Sequence, residues 1–317
     1  MKQFKIHYMF LLPLFLVLLT TGCAKDEQEI VTTNTTEKTE QAPVLKVGMM
    51  SAVDSAPFYH ALQAGYYETE GVEVELVLFT NGQHRQTALQ TQQVDGAMTD
   101  LVALITQSTG DFQLMGTLST DGAFPLLAAK PLEEGTKVTA GTMEISVTNY
   151  LIDKYLGNKY EVEKVFINEI PARLEAVVSG QLDTGIFPEP FASIGVLRNL
   201  EKNTFEGIPE ESLNIIAFTK KAIEEKPDQI VAFHRAYAKA VKDLQDDPNL
   251  ARTVLMDAIP ALPEEIRSSM YTPDYLPASL PSEAFTQEII SWTEGITGNE
   301  YPVNSQNLYD ARFVDAL

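Results

Sequence analysis

Residues 45–79 read LKVGMMSAVDSAPFYHALQAGYYETEGVEVELVLF, and their pattern of apolar and polar side chains predicts the fold. The stretch opens with Leu45 to Met49, which has the length and composition of a strand. A loop follows, and Pro57 suits the first turn of a helix that runs to about Gly65. Val72 to Leu78 then alternates apolar and acidic side chains, as a strand with one wetter face does. Strand, helix and strand in this order predict a parallel α/β sheet.

The same alternation continues along the chain and predicts two lobes. Further strands are expected at Val94 to Met98, Phe112 to Leu118, Thr136 to Ala140, Val165 to Asn168 and Leu182 to Phe187. Two more, Ala123 to Ala129 and Leu213 to Thr219, are expected to cross between the lobes beneath a ligand cleft. The predicted limits are residues 1–22 for a signal peptide, 23–43 for a flexible tether, 44–124 plus 218–317 for lobe 1, and 125–217 for lobe 2.

The N-terminus carries the marks of an export signal. Lys2 and Lys5 precede an apolar run from Met9 to Leu19, which is too short to span a bilayer as a permanent helix. Thr21-Gly22-Cys23 follows, and it resembles a bacterial lipobox, in which the thiol is acylated and becomes the new N-terminus. Cys23 is the single cysteine of the chain, so we predict lipidation there. An ordinary signal peptide with an incidental cysteine is the alternative.

Charge excludes one class of partner. The chain has 44 acidic and 23 basic residues and a formal net charge of −21. Nucleic-acid binding needs clustered Lys and Arg to neutralise phosphates, so we expect no nucleic-acid partner. The same negative charge disfavours general adhesion to anionic lipid, which leaves the acyl chain to do the anchoring.

An ordered set of motifs carries a family resemblance. The motifs are Leu45-Lys46-Val47-Gly48, Ala56-Pro57-Phe58-Tyr59, Gln92-Gln93-Val94-Asp95-Gly96-Ala97, Ser179-Gly180-Gln181-Leu182-Asp183, Pro188-Glu189-Pro190-Phe191-Ala192 and Asp310-Ala311-Arg312-Phe313-Val314. In this order they resemble the solute-binding lipoproteins of ABC importers, in the group that binds sulfonates, nitrate, taurine and thiamine pyrimidine precursors. The resemblance implies a type II periplasmic-binding-protein-like fold, an ABC permease and its ATPase as partners, a monomer, and a location outside the cytoplasmic membrane.

Candidate ligand contacts come from the loops that follow the predicted strands, because these loops open toward one edge. We predict a ligand site formed by Ser51, Asp54, Tyr59, Asn81, Gly82, His84, Thr99, Asp100, Thr142, Glu144, Ser146, Arg173, Phe187 and Glu189. Each of these residues, considered alone, could have a purely structural role. Asn81, Asp100 and Ser146 are residue types that cap helices, and Tyr59 suits a core.

The charge of the ligand stays open between two alternatives. An anionic ligand wants helix N-termini, hydroxyl groups and Arg173 or Arg85. Six carboxylates are expected near the same edge, and they disfavour a desolvated anion. They are Asp54, Asp100, Asp121, Glu144, Glu169 and Glu189. We therefore predict a nitrogen-containing ligand such as a thiamine pyrimidine precursor, with a sulfonate, taurine or nitrate as the alternative.

Other classes of protein fit the sequence less well. An enzyme of thiamine pyrimidine synthesis resembles this chain in fold but carries a cysteine-rich iron motif, whereas Cys23 lies outside the expected fold. Catalytic motifs and metal-ligand spacing are missing from the sequence, so we expect no enzyme activity, no cofactor and no metal. A structural lipoprotein would more often show repeats. Trp292 is expected to pack the last long helix on lobe 1.

Overall fold

A computed structural model describes residues 43–109, 112–203 and 211–317. The predicted signal peptide, nearly all of the predicted tether and the proposed lipidation site, Cys23, lie outside these ranges. Within them, no helix is both long and apolar enough to cross a membrane.

Ten strands and thirteen α-helices form the described part of the chain. The strands are β1 (Leu45–Met50), β2 (Val74–Phe79), β3 (Gly96–Asp100), β4 (Leu114–Thr120), β5 (Leu126–Ala128), β6 (Lys137–Thr142), β7 (Glu161–Phe166), β8 (Thr184–Ile186), β9 (Glu201–Asn203) and β10 (Asn214–Thr219). The helices are α1 (Ala56–Gln63), α2 (Tyr66–Thr69), α3 (Gly82–Gln90), α4 (Leu101–Gln107), α5 (Val147–Leu156), α6 (Ile170–Val178), α7 (Phe191–Leu197), α8 (Lys220–Glu225), α9 (Pro227–Asp246), α10 (Leu250–Ala258), α11 (Glu283–Thr297), α12 (Ser305–Leu308) and α13 (Arg312–Asp315). Short 3-10 turns lie at Val53–Ser55 and Glu264–Ile266.

Two five-stranded sheets organise the fold. The first has the order β2-β1-β3-β10-β4, and the second has the order β7-β6-β8-β5-β9. In each sheet four strands run in one direction, and the strand that arrives from the other sheet, β10 or β5, runs antiparallel between two of them. The prediction of an α/β fold with two lobes is confirmed. We call the part built on the first sheet the first lobe and the part built on the second sheet the second lobe.

The chain passes between the sheets twice, once after β4 and once before β10. Both predicted crossing strands exist, as β5 and β10. The hinge is reinforced by backbone hydrogen bonds, from Glu189 N to Ala123 O at 2.9 Å and from Phe187 N to Pro125 O at 3.1 Å. The predicted lobe limits stay a prediction, although β10 pairs with β3 and β4 from Asn214 onward, before residue 218.

Apolar packing fixes the helices on the first sheet. Phe233 of α9 stacks on Phe58 at 5.4 Å between ring centroids and on Tyr67 at 5.5 Å. All three rings are buried, and such pairs contribute beyond the area that they bury. The loops at the carboxyl ends of β1 and β3 are therefore held on a packed scaffold.

Two local predictions need correction. The strand expected at Val165 to Asn168 is β7, Glu161–Phe166, an edge strand whose outward charged side chains hide its apolar alternation. Trp292 does not serve only the first lobe. Its indole N–H donates to Asp153 Oδ2 on α5 of the second lobe at 3.0 Å, and its ring meets Tyr150 edge to face. An apolar stripe on α11 predicts that the helix packs, but not on which element.

Candidate functional site

A small cavity of about 70 Å³ lies between the lobes, where loops from both sheets meet. The first lobe lines it with Met50, Ser51, Ala52, Gly82, Arg85, Asp100 and Asn214. The hinge and the second lobe line it with Phe124, Met143, Ser146, Val147, Thr148, Ile170, Arg173 and Pro188. Because the carboxyl ends of β1, β3 and β6 face this space, it has the position expected for a ligand in an open α/β fold.

The lobes touch around the rim of this cavity. The Asn81 amide donates to Glu169, and Asn168 Nδ2 donates to Gln83 Oε1 at 3.1 Å. Gly82 allows a close approach, since a Cβ there would lie 3.1 Å from the Cε atom of Met143. These contacts join the two lobes beside the cavity.

Arg173 of α6 is the most unusual charge in the cavity. Its side chain is 1% exposed, and its Nη1 donates to Ile167 O at 2.6 Å. The guanidinium lies 5.4 Å from the centre of the Phe187 ring, and Nε has no hydrogen-bond partner. Burial lowers the pKa of Arg173 to about 10, with no carboxylate among the described residues opposing that decrease. A desolvated cation without a counter-ion is costly, so this site favours a negative partner.

Arg85 and Asp100 form a second, paired feature of the cavity. Arg85 Nη2 lies 3.8 Å from Asp100 Oδ2, and both side chains are buried. Asp100 Oδ1 also accepts the N–H of Ala103 at 2.9 Å, which caps α4. Burial raises the pKa of the Asp100 carboxyl, while Arg85 and the N–H groups of Ala103, Val102 and Val147 oppose that increase. Asp100 thus belongs to the first lobe but interacts with the start of α5 in the second.

The N-terminus of α5 supplies neutral donors. Thr148 Oγ1 lies 2.9 Å from Thr142 Oγ1 and 2.7 Å from Ser146 Oγ. Ser146 stands at the N-cap position, yet its side chain makes no capping hydrogen bond. The dipole of this ten-residue helix favours negative charge at this end.

Asp54 lies beneath the cavity and is tied to a lining residue. Its Oδ2 accepts Thr120 Oγ1 at 2.7 Å and Asn214 Nδ2 at 2.9 Å. Oδ1 is buried without a hydrogen-bond partner, and burial raises the pKa of this carboxyl. Asp54 therefore orients Asn214, which faces the cavity.

The structure brings some of the predicted site residues together and separates others. Those that line the cavity are Ser51, Gly82, Asp100, Ser146 and Arg173. Those one layer behind it or at its rim are Asp54, Asn81, Thr142 and Phe187.

The remaining predicted residues lie elsewhere. Tyr59 is part of the hydrophobic core, where burial raises the pKa of its hydroxyl to about 12. His84 and Glu144 are exposed, and Thr99 is buried within reach of Gln86 at 3.4 Å. Glu189 is buried at the hinge, where Ser193 N–H and Lys202 Nζ bind its carboxylate at 3.0 and 2.6 Å.

Thr148 and Asn214 were missing from the predicted site, and Arg85 was named only as an alternative to Arg173 for an anionic ligand. Arg85 lies one turn after Gly82 on α3 and lines the cavity. Thr148 lies two residues after Ser146, on the same helix start. Asn214 had no sequence signal, because it begins a buried strand and reaches the cavity only through the pairing of β10.

The model of the NMT1-like family matches residues 37–256, more than half of the chain. The chain belongs to the NMT1-like family. No curated protein sequence matches it.

Solved structures of several binding proteins share the fold of this NMT1-like protein. The ligand-binding component of an ABC-type import system from Staphylococcus aureus, with zinc bound, is 14% identical, with a TM-score of 0.72 over 86% of this chain and 98% of that one. The alkanesulfonate-binding protein SsuA from Xanthomonas axonopodis, bound to MOPS, is 14% identical, with a TM-score of 0.62 over 81% and 92%. The periplasmic nitrate-binding protein NrtA from Synechocystis is 13% identical, with a TM-score of 0.65 over 86% and 85%.

At these identities the likeness concerns the fold, and the predicted periplasmic-binding-protein-like fold is confirmed. The family match and these neighbours together confirm the resemblance to the sulfonate- and nitrate-binding group. Within the described ranges, no group of three or more His, Cys, Asp and Glu side chains is placed to hold a metal ion. The expectation that the protein needs no metal or cofactor stays a prediction.

Proposed function

We propose that this protein is an extracytoplasmic solute-binding component of an ABC importer, without enzyme activity of its own. Its NMT1-like family and its two lobes around a closed interlobe cavity support this role. Binding a small solute between the lobes and presenting the closed form to a permease requires no catalytic group. Acylation of Cys23 would anchor the protein to the membrane, and the acidic net charge of −21 keeps the domain off an anionic surface.

We further propose that the ligand carries an anionic group, and Arg173 is the observation that supports this most. The Arg173 guanidinium is buried, with one main-chain acceptor, an aromatic neighbour and an Nε that has no partner. A sulfonate, carboxylate or nitrate would supply the missing negative charge and acceptor. The α5 N-terminus and the Arg85 side chain line the same cavity. Its volume of about 70 Å³ suits a small ligand.

Five of the six carboxylates expected near this edge do not line this cavity, which weakens the argument against an anion. Asp121 accepts the N–H of Leu276 at 2.9 Å, and Glu169 accepts the Asn81 amide. Glu189 forms an ion pair with Lys202 at 2.6 Å, and Glu144 is exposed. Of the six, Asp100 alone lines the cavity, with Asp54 behind it.

A nitrogen-containing ligand, such as a thiamine pyrimidine precursor, remains the second candidate. Asp54 Oδ1 has no partner, and Asp100 presents a carboxylate to the cavity. An amine or a protonated ring nitrogen would satisfy such acceptors. Asp100 would strengthen the binding of such a ligand and Arg173 would weaken it, so different substitutions abolish the binding of the two candidate ligands.

Calorimetry with paired probes tests the proposal. Wild-type protein would be titrated with methanesulfonate, nitrate and 4-aminopyrimidine, and the same titrations repeated with Arg173→Met and Arg198→Met. Arg198 is an exposed arginine paired with Glu175, so its loss controls for net charge. We expect anion binding that is lost in Arg173→Met and kept in Arg198→Met. Binding of 4-aminopyrimidine alone, unaffected by Arg173→Met, would replace the anion by the second candidate.

A further inference from the structure

We propose that Asp100 is a specificity-determining residue that disfavours plain anions and favours anions carrying a neighbouring cationic group. The inference rests on the proposed anion site. Asp100 lines the same cavity as Arg173, and its carboxylate is paired with Arg85, which also lines that cavity. A plain anion that binds there must share Arg85 with Asp100.

Groups from both lobes surround the Asp100 carboxylate. From the first lobe, Arg85 Nη2 approaches to 3.8 Å and Ala103 N–H donates at 2.9 Å. From the second lobe, Val147, the first residue of α5, lines the same cavity, and its N–H is among the groups that oppose the rise in the pKa of Asp100. Arg85 and Val147 therefore share the cavity wall with Asp100.

Helix capping alone does not account for this placement. A cap for α4 needs only the hydrogen bond to Ala103, and an Asn or Ser side chain would provide it equally well. Neither would pair with Arg85 or present a negative charge to α5. The two arginines of the cavity both keep a buried Nε atom without a partner, Arg85 at 5% exposure and Arg173 at 1%. The cavity therefore retains donor capacity for a ligand despite Asp100.

The consequence for selectivity follows from charge. In a water-poor cavity, a carboxylate a few ångströms from a bound anion repels it, whereas an ammonium group on the same ligand turns that contact into an attraction. Asp100 would thus weaken the binding of inorganic anions and simple sulfonates and strengthen the binding of ligands with both charges. Arg173 holds the anionic end, and Asp100 receives the cationic end.

The test compares two probes that share a sulfonate and differ in an ammonium group. Methanesulfonate and taurine would be titrated into wild-type protein, Asp100→Asn and Asp100→Ser, which all retain a capping oxygen for Ala103. Wild-type protein should prefer taurine. Removing the charge should shift the ratio of the two dissociation constants toward methanesulfonate by about tenfold or more. Asp246→Asn, an exposed change of the same charge on α9, should leave the ratio unchanged.

An unchanged ratio in both Asp100 variants overturns the proposal. If neither probe binds the wild-type protein, the anion site itself fails, and the role proposed for Asp100 falls with it.

Discussion

Replacing Arg173 by Met should make the protein more stable while abolishing binding. The substitution removes a cation that is 1% exposed and has no ionic partner among the described residues, and it keeps an unbranched side chain of similar length. A binding site that holds a desolvated charge for its ligand lowers the stability of the ligand-free protein. Opposite effects on stability and binding are therefore the signature of a ligand-directed arginine.

The magnitude follows from the shift in pKa. Burial lowers the pKa of Arg173 from its ordinary value to about 10, which corresponds to about 3 kcal/mol against the charged form in the folded state. The variant loses the hydrogen bond to Ile167 O and the cation–π contact with Phe187, each worth about 1 kcal/mol. The net gain is about 1 kcal/mol, or a rise in Tm of about 2–4 °C for a domain of this size.

Thermal and urea unfolding without added ligand would measure this gain. Arg85→Met is the matched contrast, because Arg85 is also buried but has Asp100 as its counter-ion. Its removal leaves a buried carboxylate unpaired and should cost about 1–3 kcal/mol. A destabilised Arg173→Met protein that still binds anions would refute the reasoning, since Arg173 would then be a structural residue.

Three further predictions concern the anchor, a buried histidine and the hinge. Cys23→Ala should release the protein from bacterial membranes without unfolding it, and retention in the membrane pellet after a salt wash would rule out the lipid anchor. Burial lowers the pKa of His234 to about 4 from an ordinary 6.5. As the pH falls below 6.5, the unfolded chain therefore takes up a proton that the folded protein does not, and the free energy of unfolding decreases by about 3 kcal/mol by pH 4. His234→Gln should flatten that part of the pH profile in urea unfolding, and an identical profile would contradict it. Glu189→Gln should keep anion affinity within about twofold. It should lower the free energy of unfolding by about 1–2 kcal/mol, because Lys202 loses its buried partner. Tighter anion binding in this variant would instead place Glu189 at the ligand.

The fold could be predicted because its signals are local. Alternation in Leu45–Met50 and Val74–Phe79, with a helical pattern between them, determines strand, helix and strand without knowledge of distant contacts. The contacts of Trp292 were not accessible in the same way. A stripe on α11 shows that the helix buries a face, whereas the choice of Asp153 and Tyr150 depends on where α5 lies.

The candidate site could be predicted only in part, for a related reason. The rule that loops after parallel strands meet at one edge of the sheet correctly predicted five residues of the cavity. They are Ser51, Gly82, Asp100, Ser146 and Arg173. The partners of the charges depend on tertiary packing. Sequence shows that carboxylates are near the edge, but only the structure shows that Lys202 neutralises Glu189 while no described carboxylate neutralises Arg173.

A crystal structure of the protein with a bound sulfonate probe would show whether Arg173 holds the anion. We expect the sulfonate group between the lobes, with an oxygen in hydrogen-bond distance of the Arg173 guanidinium and another near the N-terminus of α5. A probe bound outside this cavity would contradict it. So would a probe in the cavity whose sulfonate leaves Arg173 without a contact.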